Sequence, residues 1–150
     1  MPHTLTELVA GSTPIVVEET RGYWDATLNE ELRVQTCNAC GNKQMPWGPC
    51  CAKCLSQDLA SEAAAGRGRV FSFTIVRQAI HPTFSAQVPY VIADIELDEG
   101  PIMTSNVTDV PVEEVYIGMP VAVWFDNEME DAFHTKLRLP KFRPADRGES

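Results

Sequence analysis

Apolar and polar positions divide this chain into three stretches. Trp24, Leu28 and Leu32 recur every four residues, with Asn29, Glu30 and Arg33 off that stripe, which predicts an amphipathic helix. From Arg69 onward the period becomes two. Phe71, Phe73 and Ile75 alternate with Ser72, Thr74 and Val76, as core residues of a strand should. Val91–Leu97 is β-branched and apolar, Ile102–Val107 is shorter, Val121, Val123 and Phe125 alternate again, and His134–Phe142 makes a fifth strand. Between helix and strands, Gly41, Pro46, Gly48 and Pro49 cut the chain into short turns. Short helical turns are expected at Thr4–Ala10, ended by Gly11-Ser12-Thr13-Pro14, and within Val112–Gly118. Gly66 and Gly68 predict a turn or bulge at the entrance to the first long strand.

The middle stretch carries the chemistry. Cys37-Asn38-Ala39-Cys40 and Cys51-Ala52-Lys53-Cys54 are two Cys-x-x-Cys pairs separated by ten residues. Each pair puts two thiolates on one knuckle, and two knuckles make a tetrahedral four-sulfur shell suited to zinc, with iron the alternative on geometry. Cys37, Cys40, Cys51 and Cys54 are therefore the expected ligands of one structural zinc per chain. Four protein ligands leave no open position for water or substrate. Cys51 is chosen over its neighbour Cys50 because it restores the two-residue spacing to Cys54. The opening residues lack a signal-peptide pattern and no apolar run is long enough to span a membrane, so the expected setting is the cytoplasm, where thiols stay reduced.

These signals predict a mainly β chain: an N-terminal helix, a zinc ribbon, then a five-stranded OB-fold barrel, with a β-sandwich as the runner-up. The expected divisions are 1–34 for the arm and helix, 35–65 for the ribbon, 66–144 for the barrel and 145–150 for the tail.

Composition narrows the partners. The 150 residues are 44% hydrophobic, enough for a core, and carry a formal charge of −9. Such a balance argues against nucleic acid and against an anionic membrane surface, both of which need Lys and Arg. A local basic patch survives in Lys136, Arg138, Lys141 and Arg143. It reads equally as a solvated strand edge or as a contact for an acidic partner or for phosphates. Trp24 likewise either packs on the chain's own core or faces a partner. No catalytic constellation stands out: His3, His81 and His134 are scattered, and Asp94, Glu96 and Asp98 alternate as a solvated strand face does.

Several segments, in order, carry a resemblance. They are Cys37-Asn38-Ala39-Cys40-Gly41, Met45-Pro46 and Cys51-Ala52-Lys53-Cys54; then Gly66-Arg67-Gly68-Arg69-Val70-Phe71; then Pro89-Tyr90-Val91-Ile92-Ala93, Ile117-Gly118-Met119-Pro120 and Leu139-Pro140-Lys141-Phe142-Arg143-Pro144. Together they resemble the acyl-CoA-associated OB-fold and rubredoxin-like zinc-ribbon family, formerly a domain of unknown function, whose members partner thiolase-superfamily enzymes. The resemblance implies an accessory or scaffold subunit of a complex that cleaves or forms carbon–carbon bonds, by thiolysis, retro-aldol cleavage or acyl transfer, with steroid or aromatic side chains an attractive substrate. It also implies a hetero-oligomer built on a thiolase-like dimer, and a subunit that helps shape the channel for a coenzyme A thioester shared with the partner, which supplies the catalytic residues. The chain departs from the family at Ala52, where proline is usual, and at Pro46-Trp47-Gly48-Pro49, where a Pro-Pro-Arg-like run is usual. Trp47 thereby becomes a contact residue particular to this member. The rival readings are a nucleic-acid-binding module and a free-standing acyl-CoA-binding protein.

Overall fold

The computed structural model describes residues 14–79 and 85–145. The turn expected at Thr4–Ala10, His3, His81 and nearly all of the 145–150 tail lie outside the described residues. A single 3-10 turn, Glu18–Thr20, leads into helix α1, Arg21–Leu28. The helix stops earlier than the four-residue stripe predicts. The amides of Asn29 and Glu30 close back on Ala26 and Thr27, and Glu30 takes a left-handed φ of 56°. Leu32 still reaches the core, 2% exposed, but does so from the turn that follows. The buried helical positions are Tyr23 and Thr27, one residue off the predicted stripe.

The ribbon is a three-stranded antiparallel sheet, ordered β2-β1-β3, of β1 (Arg33–Cys37), β2 (Lys43–Gln44) and β3 (Leu59–Ala63). The barrel closes in the order β10-β6-β5-β4-β7, from β4 (Arg67–Val76), β5 (Tyr90–Leu97), β6 (Ile102–Val107), β7 (Pro120–Phe125) and β10 (Pro140–Pro144). A short hairpin of β8 (Met129–Glu130) and β9 (Lys136–Leu137) sits before the last strand. The helix, ribbon and five-stranded barrel expected from the sequence are thus present. All barrel pairings are antiparallel except β10 with β6, which meet in parallel at Phe142 and Val107 and close the cylinder.

Two sequence expectations are corrected. The segment His134–Phe142 is not one strand. His134 turns at a φ of 63°, β9 pairs with β8, and pairing restarts at Pro140, whose missing N–H suits the first position of a strand. Phe71 is not in the core. The β4–β5 register shifts between Val70 and Ser72, so Phe71 is the extra residue of a bulge and lies 54% exposed. One inserted residue breaks the alternation and turns the ring outward.

Gly68 lets the barrel close. A Cβ there would lie 2.4 Å from the Glu96 carbonyl oxygen, across the β4–β5 pair. The core then runs through all three parts: Tyr23 from the helix, Leu32 and Val34 from the ribbon side, and Val70, Ile95, Leu97, Val121 and Phe142 from the barrel form one cluster. No helix among the described residues is long and apolar enough to cross a membrane.

Candidate metal centre and the aromatic cavity beside it

The two knuckles have the same construction. The amide of Cys37 donates to Asn42 O at 2.8 Å and that of Cys51 to Ser56 O at 2.8 Å. Gly41 N returns to Cys37 O and Leu55 N to Cys51 O, each at 2.9 Å. The residue after the second cysteine is left-handed in both, at φ 79° for Gly41 and 66° for Leu55. These matched turns aim four sulfurs at one point. The Sγ atoms of Cys37, Cys40, Cys51 and Cys54 all lie within 4.8 Å of one another, and Cys50 is outside the group. Cys37 Sγ lies 3.6 Å from Cys54 Sγ, and Cys40 Sγ 3.6 Å from Cys51 Sγ. A tetrahedral ion with bonds of ~2.3 Å to sulfur would set neighbouring sulfurs roughly 3.8 Å apart, so the set fits zinc.

The electrostatics favour thiolates. The backbone amide of Cys54, with that of Lys53, brings the Cys51 thiol down to about 6, against its burial. The Cys40 amide similarly lowers Cys37. The Ser56 amide pulls Cys54 down, but the crowding sulfurs of Cys40 and Cys37 outweigh it and push that thiol up to about 12. Four thiols so close cannot all ionise without a cation between them, and a divalent ion would remove that conflict. The side-chain amide of Asn42, 3.6 Å from Cys51 Sγ, offers a further donor to the sulfur shell.

From the second knuckle a polar network leads to Trp47. Gln44 Oε1 accepts from Ala52 N at 2.8 Å, and Gln44 Nε2 donates to Cys50 O at 3.1 Å and to Gln35 Oε1 at 2.7 Å. Gln35, 5% exposed, accepts from Gly48 N at 2.9 Å and donates to Gly48 O at 3.0 Å. Trp47 Nε1 donates to Arg33 O at 3.1 Å. The loop carrying Trp47 is therefore held on β1 from both sides. Its indole lies against Gly22 of α1, where a Cβ would sit 3.0 Å from the ring.

Trp24 and Trp47, singled out separately in the sequence, meet here. Both line a cavity of about 240 Å³ with Tyr23, Met45, Met103 and Thr104, between helix, ribbon and β6. Tyr23 stands edge-on to Trp24, centroids 4.7 Å apart, and to Trp47 at 6.1 Å. Sequence reasoning missed Tyr23, Thr27, Gln35 and Gln44. The signal for Tyr23 was its i, i+4 spacing to Thr27. Nothing in the local pattern marks a glutamine as the keystone of a loop.

The basic residues do not join this cavity. Lys136 pairs with Glu128 at 3.3 Å, and Lys141 pairs with Asp126 at 2.7 Å while lying over the Trp124 ring. Arg138 is tied inward. It donates to Asp126 O at 2.8 Å and Phe125 O at 3.3 Å, faces Glu30 at 3.5 Å, and its amide meets Thr27 Oγ1 at 3.1 Å, fastening α1 to the barrel. Arg143 is exposed. Asp94, on the outer strand face, accepts from the hydroxyls of Ser72 and Thr104 at 3.3 and 2.7 Å.

Comparison with known proteins adds likenesses of three kinds, to families, to relatives and to a solved structure. Residues 24–60 match the family described as ChsH2, rubredoxin-like zinc ribbon domain, and residues 61–126 match ChsH2, C-terminal OB-fold domain. The chain is 35% identical over 133 residues to a probable enoyl-CoA hydratase alpha subunit of Thermomonospora curvata, with 88% of this chain aligned to 39% of that protein. It therefore spans about two fifths of that relative. It is 38% identical over 96 residues to a DUF35 domain-containing scaffold protein of Methanocaldococcus jannaschii, covering 63% of this chain and 67% of the other. Among solved structures it superposes on a chain of the Ltp2-ChsH2(DUF35) aldolase with a TM-score of 0.73 and 34% identity, covering 89% of this chain and 100% of that one.

Proposed function

This chain belongs to the ChsH2 family of rubredoxin-like zinc ribbons joined to OB-fold domains, and from that premise we propose that it is an accessory subunit of an acyl-CoA enzyme complex. One observation carries the reading: the whole of a chain from an aldolase named for two proteins, Ltp2 and ChsH2, is matched by 89% of this one. The names of the relatives, a scaffold protein and a hydratase alpha subunit, support it.

In finer terms, the partner is a thiolase-like chain that supplies the catalytic groups, and the reaction makes or breaks a carbon–carbon bond of a steroid-like or aromatic acyl-CoA. The complex is cytoplasmic. Arm and helix (1–34), ribbon (35–65), barrel (66–144) and tail (145–150) act as one scaffold. Cys37, Cys40, Cys51 and Cys54 would hold zinc, which when bound cross-links a ribbon that has little core of its own. Thr27 and Arg138 seat the helix on the barrel, so that Trp24 and Trp47 share one wall. Lys136 and Arg143, at the surface, are the basic residues best able to meet a partner or the coenzyme A phosphates.

Affinity purification of the tagged chain from its native host tests this. A stable complex with a thiolase-type chain is expected, with acyl-CoA turnover only in that complex. Recovery of a lone chain that turns over acyl-CoA, or that binds single-stranded nucleic acid in a salt-sensitive way, would sink the reading.

A further inference from the structure

The cavity between helix, ribbon and barrel is lined in part by Tyr23. Tyr23 is only 9% exposed, yet its hydroxyl makes no hydrogen bond among the described residues. Buried phenols normally find a partner. Tyr23 lines the cavity, and its hydroxyl is not among the fully enclosed side-chain atoms that lack a partner within the described residues. Burial alone raises the phenol's pKa, so the group stays protonated and keeps a proton to donate.

The walls say what else would fit. Trp24 and Trp47 give flat apolar faces, and the thioethers of Met45 and Met103 adapt to irregular shapes. No charged side chain lines the cavity, so a carboxylate or phosphate would be left uncompensated there. At about 240 Å³ the space is below the roughly 300–1,000 Å³ that holds a whole drug-sized molecule, so it takes part of one.

We propose that this cavity binds the apolar part of an acyl group, a ring or short chain carrying one acceptor oxygen, with the Tyr23 hydroxyl as its hydrogen-bond donor. The charged end of the ligand stays outside. Naming the ligand an acyl group rests on the accessory-subunit reading; the cavity and its chemistry do not.

The test uses the zinc-loaded full chain and two uncharged probes of one shape, 1-tetralone and tetralin, which differ by a ketone oxygen. The indole N–H resonances report binding, because Trp24 and Trp47 line the cavity while Trp124, whose Nε1 is engaged by Thr108 Oγ1 at 2.8 Å, does not. Tetralone should shift the first two and leave the third, and should bind about fivefold to tenfold more tightly than tetralin. Tyr23→Phe, which keeps the ring and its packing, should bring tetralone down to the level of tetralin and leave tetralin unchanged. Equal binding of both probes to the unaltered chain, an unchanged tetralone affinity in Tyr23→Phe, no shift at about 1 mM probe, or a partner's side chain seated in the cavity of the purified complex would each overturn the proposal. Co-purification with a thiolase-type chain but unmoved indoles would fail the cavity alone; the reverse pair of results would fail only the accessory-subunit reading.

Discussion

The indole Nε1 of Trp47 donates to the carbonyl oxygen of Arg33 at 3.1 Å, tying the proline-flanked loop of the ribbon to the first residue of its central strand. That bond fixes one wall of the aromatic cavity. The opposite anchor is Gln35, whose amide group clasps Gly48 through both N and O. Replacing Gln35 by Ala leaves the N–H and C=O of Gly48 without this partner and takes one acceptor from the Gln44 amide, which keeps Cys50 O. Chemical denaturation should show a loss of about 2 kcal/mol, and the Trp47 indole resonance should broaden or move while that of Trp124 stays in place.

Metal content is the second measurement. The purified chain should carry about one zinc, held by the four clustered thiolates. Cys37→Ala and Cys54→Ala should each lose it and aggregate, because the ribbon sheet shares its core with the barrel through Leu32 and Val34. Cys50→Ala should keep full zinc. Full metal retention in either ligand variant would refute the set.

The matched knuckles differ at one position, where the first has Gly41 and the second has Leu55, both left-handed. A leucine there carries steric strain that glycine lacks, and this one is also 73% exposed. Leu55→Gly should therefore raise stability by about 1 kcal/mol, and Gly41→Ala should lower it by about as much. A fall in melting temperature for Leu55→Gly would contradict the strain argument.

Gly68 should tolerate no side chain. Its added Cβ would collide with backbone, the Glu96 carbonyl, and with Ile95 Cγ2 at 2.9 Å. Gly68→Ala should lose about 3 kcal/mol or fail to fold. Gly100→Ala serves as the control. It sits at φ 112° with nothing within 4 Å of the new atom, so only backbone strain is added, about 1 kcal/mol.

Acid should loosen the chain through two aspartates. The hydrogen bond from Lys141 holds the Asp126 carboxyl below the usual range. Burial pushes Asp131 up, but the amides of Val16, Thr135 and Phe133, at 3.0, 2.8 and 2.9 Å, outweigh it and hold that group low as well. A folded pKa below the unfolded one gives stability that is full above the unfolded value and is lost as pH falls through the folded one. Melting temperature should thus stay level from neutral pH to about 5 and drop below about 4. Asp131→Asn should flatten that drop; an unchanged acid limb would show that the carboxylate does not stabilise the segment at Val16.

Much of this was legible in the residues. Cys-x-x-Cys spacing is local chemistry: each knuckle is built from its own turn and needs no distant contact to aim its sulfurs. Period-two alternation foretold the strands of the barrel, because a strand with one buried face must alternate. Where the reading failed, the cause was a local exception to a period. A single bulge residue turned Phe71 outward, and Pro140 split the last strand in two. The helix was legible, but its stripe was displaced by one, since Tyr23 and Thr27 are buried despite their hydroxyls.

The sequence by itself determined the ribbon, the barrel and the four cysteines that cluster, all of which follow from spacings of a few residues. Only the tertiary structure decided that Trp24 and Trp47 share a cavity, that the Arg138 guanidinium bonds the carbonyls of Asp126 and Phe125 while its amide meets Thr27, and that the Tyr23 hydroxyl has no hydrogen bond among the described residues. These depend on barrel closure bringing β6, the ribbon loop and α1 together across 20 to 80 positions of chain, as in the approach of Trp24, Trp47 and Met103. No periodicity within one element encodes such a meeting; it arises when three apolar faces, none large enough alone, bury one another.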